Sequence, residues 1–235
     1  MDFKLLTETS KLIKNLIETD PMFSFKDMEM YVNVPMLSKI INQEIGIQEM
    51  SFDELLELAK DIDYLDAEEL LTVVLLYIES KRIDHMYQYQ TELSPNFKRY
   101  IDDKKDKLYD DENMVWDKLI MYYLLMTSYP KEEILLNPRY EYDNFKVDFI
   151  YTEKINGLKI AKYITIVHFK IYQEMILFLH EKDNFVEDRI YRKLSSLSFV
   201  NIETDYDDSY KTYYKISFDI EYIFLIIDII VKEIF

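Results

Sequence analysis

Apolar positions recur along the chain at helical spacing, and the densest block, Leu70-Leu71-Thr72-Val73-Val74-Leu75-Leu76-Tyr77-Ile78, is hydrophobic on nearly every face. A helix of that kind must be wrapped by others, so the pattern predicts a buried central helix over residues 67–93. Asp66 stands at the N-cap position and Glu69, three residues on, completes the pattern of a capping box. After Ile78 the apolar residues thin to a stripe with Arg82, His85 and Tyr89 on one face, which predicts that the second half meets solvent. The run is too short for a membrane span, which needs roughly 20 apolar residues.

Upstream, Leu5, Leu6, Leu12, Ile13, Leu16 and Ile17 predict an amphipathic helix over 3–19, ended by Asp20-Pro21. Short helices are expected over 25–31 and 35–45, the second opened by Val34-Pro35 and closed by Gly46 as a left-handed C-cap. Ser51 and Glu54 form a second capping signature, at the head of a helix over 51–61 that turns Phe52, Leu55, Leu56 and Leu58 inward. Residues 93–113 carry mixed charge without apolar spacing and read as an exposed connection. The apolar run over 114–126, with the lone Trp116 as a core anchor, is the expected partner of the central helix.

Pro130 and Asn137-Pro138 mark a boundary between a helical part, 1–135, and a second part, 136–235, packed as one compact unit. In the second part, residues 146–151 suit a strand ending at the Asn156-Gly157 turn. Ile160, Ile164, Val167, Ile171, Met175 and Phe178 then follow at spacings of four and three, which predicts a helix over 158–181. Another helix is expected over 184–197, and residues 198–204 and 210–218 alternate as a hairpin about the polar loop 205–209. The isoleucine-rich end, 220–234, reads as a mostly buried helix with Glu221, Asp228 and Lys232 on one stripe, an isoleucine-rich strand being the alternative. The expected fold is therefore mainly α: a bundle-like helical core around a buried central helix, with one small antiparallel β-hairpin in the C-terminal part.

Composition narrows the chemistry. The 235 residues include 15% aromatics, enough apolar surface to offset the ordering entropy of a folded chain. With no cysteine there is no disulfide and no thiolate site, which fits a reducing cytoplasm. Met1-Asp2-Phe3-Lys4 opens no secretory pattern, so the expected location is cytoplasmic. The only glycines are Gly46 and Gly157, so the closely spaced glycines of a P-loop, dinucleotide or kinase phosphate cradle are missing.

The histidines, His85, His168 and His180, form no His-Glu-x-x-His motif. On one unbroken helix His168 and His180 would point about 120 degrees apart. His180 reads instead as a C-terminal dipole partner, and His85 as a partly buried side chain. Asp205, Asp207 and Asp208 resemble the opening of a calcium loop, but Tyr210 stands where the loop needs glycine and Ile216 where it needs a bidentate glutamate. Asp148 with Glu153-Lys154 lacks the one-residue spacer of a metal-dependent nuclease. No catalytic residue, metal or cofactor is assigned.

The 45 acidic and 28 basic residues give a net charge of -17, which repels nucleic-acid phosphates and favours basic partners. A helix-turn-helix about Asn33-Val34-Pro35 is argued against by sign, since residues 1–65 hold about 6 basic and 13 acidic side chains. The expectation is a non-enzymatic acidic protein that engages and inhibits a basic partner, such as an immunity protein or a phage-borne inhibitor of a nucleic-acid enzyme. Its candidate contacts are Asp102, Asp103, Asp110, Asp111, Glu112, Asp205, Asp207 and Asp208, acids that would serve equally as solvated loops. The alternative is a hydrolase using a carboxylate-bound divalent metal.

Overall fold

A computed structural model describes residues 4–42, 44–83, 116–130, 133–137, 144–155, 157–169, 174–180, 185–206, 212–219 and 222–235. The chain divides into two compact units, Met1–Tyr129 and Pro130–Phe235. Among the described residues no helix is long and apolar enough to cross a membrane.

The first unit is helical. The predicted first helix is broken in two, α1 (Lys4–Thr9) and α2 (Lys11–Thr19). Ser10 makes the break: its buried hydroxyl accepts from Ile13 N at 3.0 Å and donates to the Leu65 carbonyl. One side chain thus caps α2 and ties it to the chain at Leu65, just before the central helix. A short 3-10 turn, Phe25–Met28, precedes α3 (Val34–Ile41), whose N-cap Asn33 accepts from Met36 N with Pro35 inside the first turn. Gly46 is not the left-handed C-cap expected. Its φ is -94°, and a side chain there would collide with Gln48, which folds back over it.

Helix α4 (Phe52–Tyr64) begins with the capping box read from Ser51 and Glu54, and it buries Phe52, Leu55, Leu58, Ala59 and Ile62. The central helix is α5 (Glu68–Ile83), with Leu70 through Ile78 buried. Its start differs from expectation. Asp66 sits at φ 52°, its N–H bonds Asp63 O, and Ala67 N bonds Ile62 O. That paired geometry is a left-handed termination of α4, so Asp66 ends one helix and does not cap the next. Glu69, freed from a capping role, pairs with Lys118 on α6 (Trp116–Leu125). Burial also runs further along α5 than the pattern implied. Lys81 is 2% exposed, its ammonium 4.7 Å above the Tyr77 ring and facing the carbonyls of Gln48 and Met50. The predicted continuation past 83, including His85 and Tyr89, lies outside the described residues.

The second unit overturns the mainly α expectation. It holds a six-stranded antiparallel sheet in the order β1-β2-β3-β4-β6-β5, so the protein is α+β. The strands are β1 (Ile134–Asn137), β2 (Asn144–Ile155), β3 (Leu158–Phe169), β4 (Glu174–His180), β5 (Val200–Tyr206) and β6 (Thr212–Phe218). The predicted helix over 158–181 is in fact β3 and β4. Its four-and-three spacing coexists with a denser set of β-branched residues, Ile160, Ile164, Thr165, Ile166 and Val167, which suit a pleated surface better than a helix. Ile164 and Ile166 alternate into the core, each facing a β2 partner, Phe149 and Val147. The turn after Ile155 settles the geometry, because Gly157 has φ 81° and joins two twelve-residue strands in register from Ile155↔Leu158.

The late hairpin is present as β5 and β6, with Val200 opposite Phe218. Helix α7 (Phe185–Ser195) and the buried C-terminal helix α8 (Ile223–Ile234) pack against each other. Nothing crowds the position where a Gly157 side chain would stand, so the cost of filling it is conformational alone. Gly157→Ala should therefore destabilise the second unit by about 1–2 kcal/mol. Denaturant unfolding checks this, and an unchanged midpoint would contradict the left-handed turn.

Candidate interaction surface

The solvent face of α4 carries Asp53, Glu57, Lys60, Asp61 and Tyr64, at spacings of three, four and one that place them along a single side of the helix. Lys60 pairs with Glu57. Among the described residues Asp53 and Asp61 make no ion pair, and neither does the exposed Asp63 at the border of the row, so this side of the helix stays acidic. At its head Glu54 accepts from Ser51 N at 2.8 Å and from the Ser51 hydroxyl at 2.7 Å, and these bonds hold its carboxyl below the ordinary range.

At the other end the row meets the segment before α3. Asp61 Oδ2 accepts from Asn33 N at 3.0 Å, linking α4 to the α3 N-cap. Tyr64 stacks on Tyr31, ring centroids 5.4 Å apart and 8° from parallel. Both rings remain open, 58% exposed for Tyr31 and 48% for Tyr64, and the neighbouring Met30 is 88% exposed. A depression of about 480 Å³ lies here, lined by Glu29, Met30, Tyr31, Asn33, Pro35 and Asp61. Past Glu29 and Pro35 a wider groove of about 700 Å³ follows α3, with Ile17, Phe23, Phe25 and Val34 along it.

Burial raises the Asp61 carboxyl above its ordinary value, and the Asn33 N–H opposes that shift. A raised carboxyl binds its proton more readily in the folded state than in the unfolded one. Folding is therefore favoured as pH falls through its folded pKa, and the penalty is in full force above it. Asp61→Asn keeps an oxygen for the Asn33 N–H and removes the desolvated charge. The variant should be at least as stable as the parent at neutral pH, with the difference closing on acidification. Thermal melts across pH check this, and a neutral-pH loss that persists in acid would contradict it.

Of the acids singled out from sequence as partner contacts, only Asp205 falls within the described residues. Asp102, Asp103, Asp110, Asp111, Glu112, Asp207 and Asp208 lie outside the described residues. Asp205 is placed by its backbone alone, on β5 opposite Tyr213. His168 and His180 do not share a helix: they stand on β3 and β4, opposite Met175 and Tyr213. Asp148, considered as a nuclease acid, accepts from the Thr165 hydroxyl at 2.7 Å and pairs with Lys146 at 3.3 Å, which accounts for it as a sheet-surface contact. Among the described residues no group of three His, Asp or Glu converges as a metal site.

The Tyr31–Tyr64 contact escaped sequence reasoning because the residues belong to different elements and neither lies on an apolar stripe. No family model, curated protein or solved structure matches the chain.

Proposed function

We propose that the chain is a non-enzymatic binding protein that engages a basic protein partner and inhibits it by covering the surface that partner uses. The observation that carries this reading is the open Tyr31–Tyr64 stack with Met30 beside it, at the end of an acidic helix face. Tyrosines bring large contact area at low entropic cost and are enriched among residues that dominate binding energy. Unpaired carboxylates around them steer a cationic partner into place and disfavour anionic ones. The net charge of -17 works in the same direction at longer range.

A photo-crosslinking residue at position 31 should capture the partner, while the same residue at exposed Glu203 on β5 should not. With the captured protein purified, the on-rate should fall as salt rises, because the Debye length contracts from about 30 Å at 0.01 M to about 8 Å at 0.15 M. Reversing Asp53 and Asp63 to Lys should lower the on-rate. Tyr31→Ala with Tyr64→Ala should raise the off-rate at least about tenfold, since a central aromatic typically contributes more than 1 kcal/mol. An acidic partner, or rates indifferent to salt and to both pairs of changes, would overturn the proposal.

A further inference from the structure

The strands β2 and β3 are longer than their neighbours. Among the described residues β1 pairs with β2 only over 146–149, and β4 pairs with β3 only over 165–169. Over the rest of the hairpin, 150–155 with 158–164, the two strands pair with each other and, among the described residues, with no further strand on their outer edges. One face of this stretch presents Thr152 and Lys154 on β2 with Lys159, Ala161 and Tyr163 on β3, all exposed.

Lys154 and Lys159 are direct cross-strand partners, and neither has an ion-pair partner among the described residues. Like charges directly opposite destabilise a strand pair, in a chain with 45 acids available to neutralise them. Stability does not account for the pair. Lysines on an open edge do keep identical copies from pairing, since each copy would bring its own lysine against the other's. The same charges admit a strand of opposite sign, and an edge that rejects itself while accepting another sequence is selective.

We infer that the outer edge of β3 over 158–164 is a docking site for an extended acidic segment of a partner protein, added as a strand. Main-chain bonds to the open edge would supply affinity, and alternate side chains would supply choice. A segment lying beside β3 would set a carboxylate near Lys159 and, two pairs along the same face, an apolar residue against Tyr163, which is 53% exposed. This site is on the second unit and stands independently of the acidic surface of the first.

The probe is a seven-residue peptide of alternating Thr and Val, capped at both ends, with Glu at one outward position, compared with the same peptide carrying Lys there. Amide exchange in the full chain should slow within 158–164 on adding the Glu peptide, which should bind about twofold to fivefold tighter than the Lys peptide. Lys159→Glu should reverse that preference. A backbone N-methylated Glu peptide should give no protection. Protection by the methylated peptide, no protection by any peptide, or an equal response to both charges in the parent and the variant would each overturn the inference. Circular dichroism of Lys159→Glu confirms that the sheet is intact when the preference is read.

Discussion

Phe149→Ala is expected to destabilise the second unit by about 3–5 kcal/mol, a large fraction of the stability of a typical small domain. Phe149 is fully buried on β2, with Ile134 of β1 on one side and Ile164 of β3 on the other. Truncation loses the transfer energy of the ring and leaves a void that a strand pinned on both edges cannot collapse to fill. Phe149→Leu keeps most of the volume and should cost no more than about half as much. Urea unfolding followed by far-UV circular dichroism checks both. The comparison also bears directly on the fold, because a strand pattern buries Val147, Phe149 and Tyr151 while half-exposing Asp148 and Ile150. If Ile150→Ala proved as costly as Phe149→Ala, that alternation would be wrong.

The same alternation explains where sequence reasoning succeeded and where it failed. Signals that act within a few residues were legible. Ser51 with Glu54 has the pattern of a capping box and forms one, and the two alternating runs about a polar loop predict the hairpin of β5 and β6. Asp66 and Glu69 have the same spacing, yet the backbone at Asp66 is left-handed and Glu69 is drawn to Lys118. A cap depends on backbone geometry that the residue type alone does not set.

The larger error, a helix over 158–181, arose because Ile160, Ile164 and Val167 satisfy helical spacing while their neighbours Thr165 and Ile166 favour a strand. What decides between the two is the pairing of β3 with β2 and β4, a non-local term absent from any single window. The candidate surface has the same character. The spacing of Asp53, Glu57 and Asp61 places them on one helix face, but the Tyr31–Tyr64 stack, like the bond from Asn33 N to Asp61, joins two elements and is absent from the spacing of either. The Lys154 and Lys159 pairing needs the register of the hairpin, which follows from the pairing of Ile155 with Leu158 once both arms are known to be strands.

Removing Arg189 and Lys193 together should destabilise the second unit by about 2–4 kcal/mol, because the carboxylate they hold is left without partners. Glu233 is only 7% exposed in the last turn of α8, where the partial negative charge of the helix end disfavours an acid. Two cations one turn apart on α7 compensate: Arg189 Nε lies 3.2 Å from one carboxylate oxygen and Lys193 pairs with the other. Arg189 Nη2 also donates to the Glu233 carbonyl at 2.6 Å, so the same side chain satisfies a free C-terminal carbonyl of α8. Losing one partner of a buried pair typically costs 3–5 kcal/mol, and the figure here is lower because both cations are nearly half exposed and water can enter behind them. The double variant Arg189→Ala, Lys193→Ala should recover most of its loss when Glu233→Gln is added, since the unpaired charge is then gone. A double-mutant cycle by urea unfolding measures that recovery as a coupling energy. If Glu233→Gln gave the same change with and without the two cations, the three groups would be independent and α7 would be held to α8 by apolar packing alone.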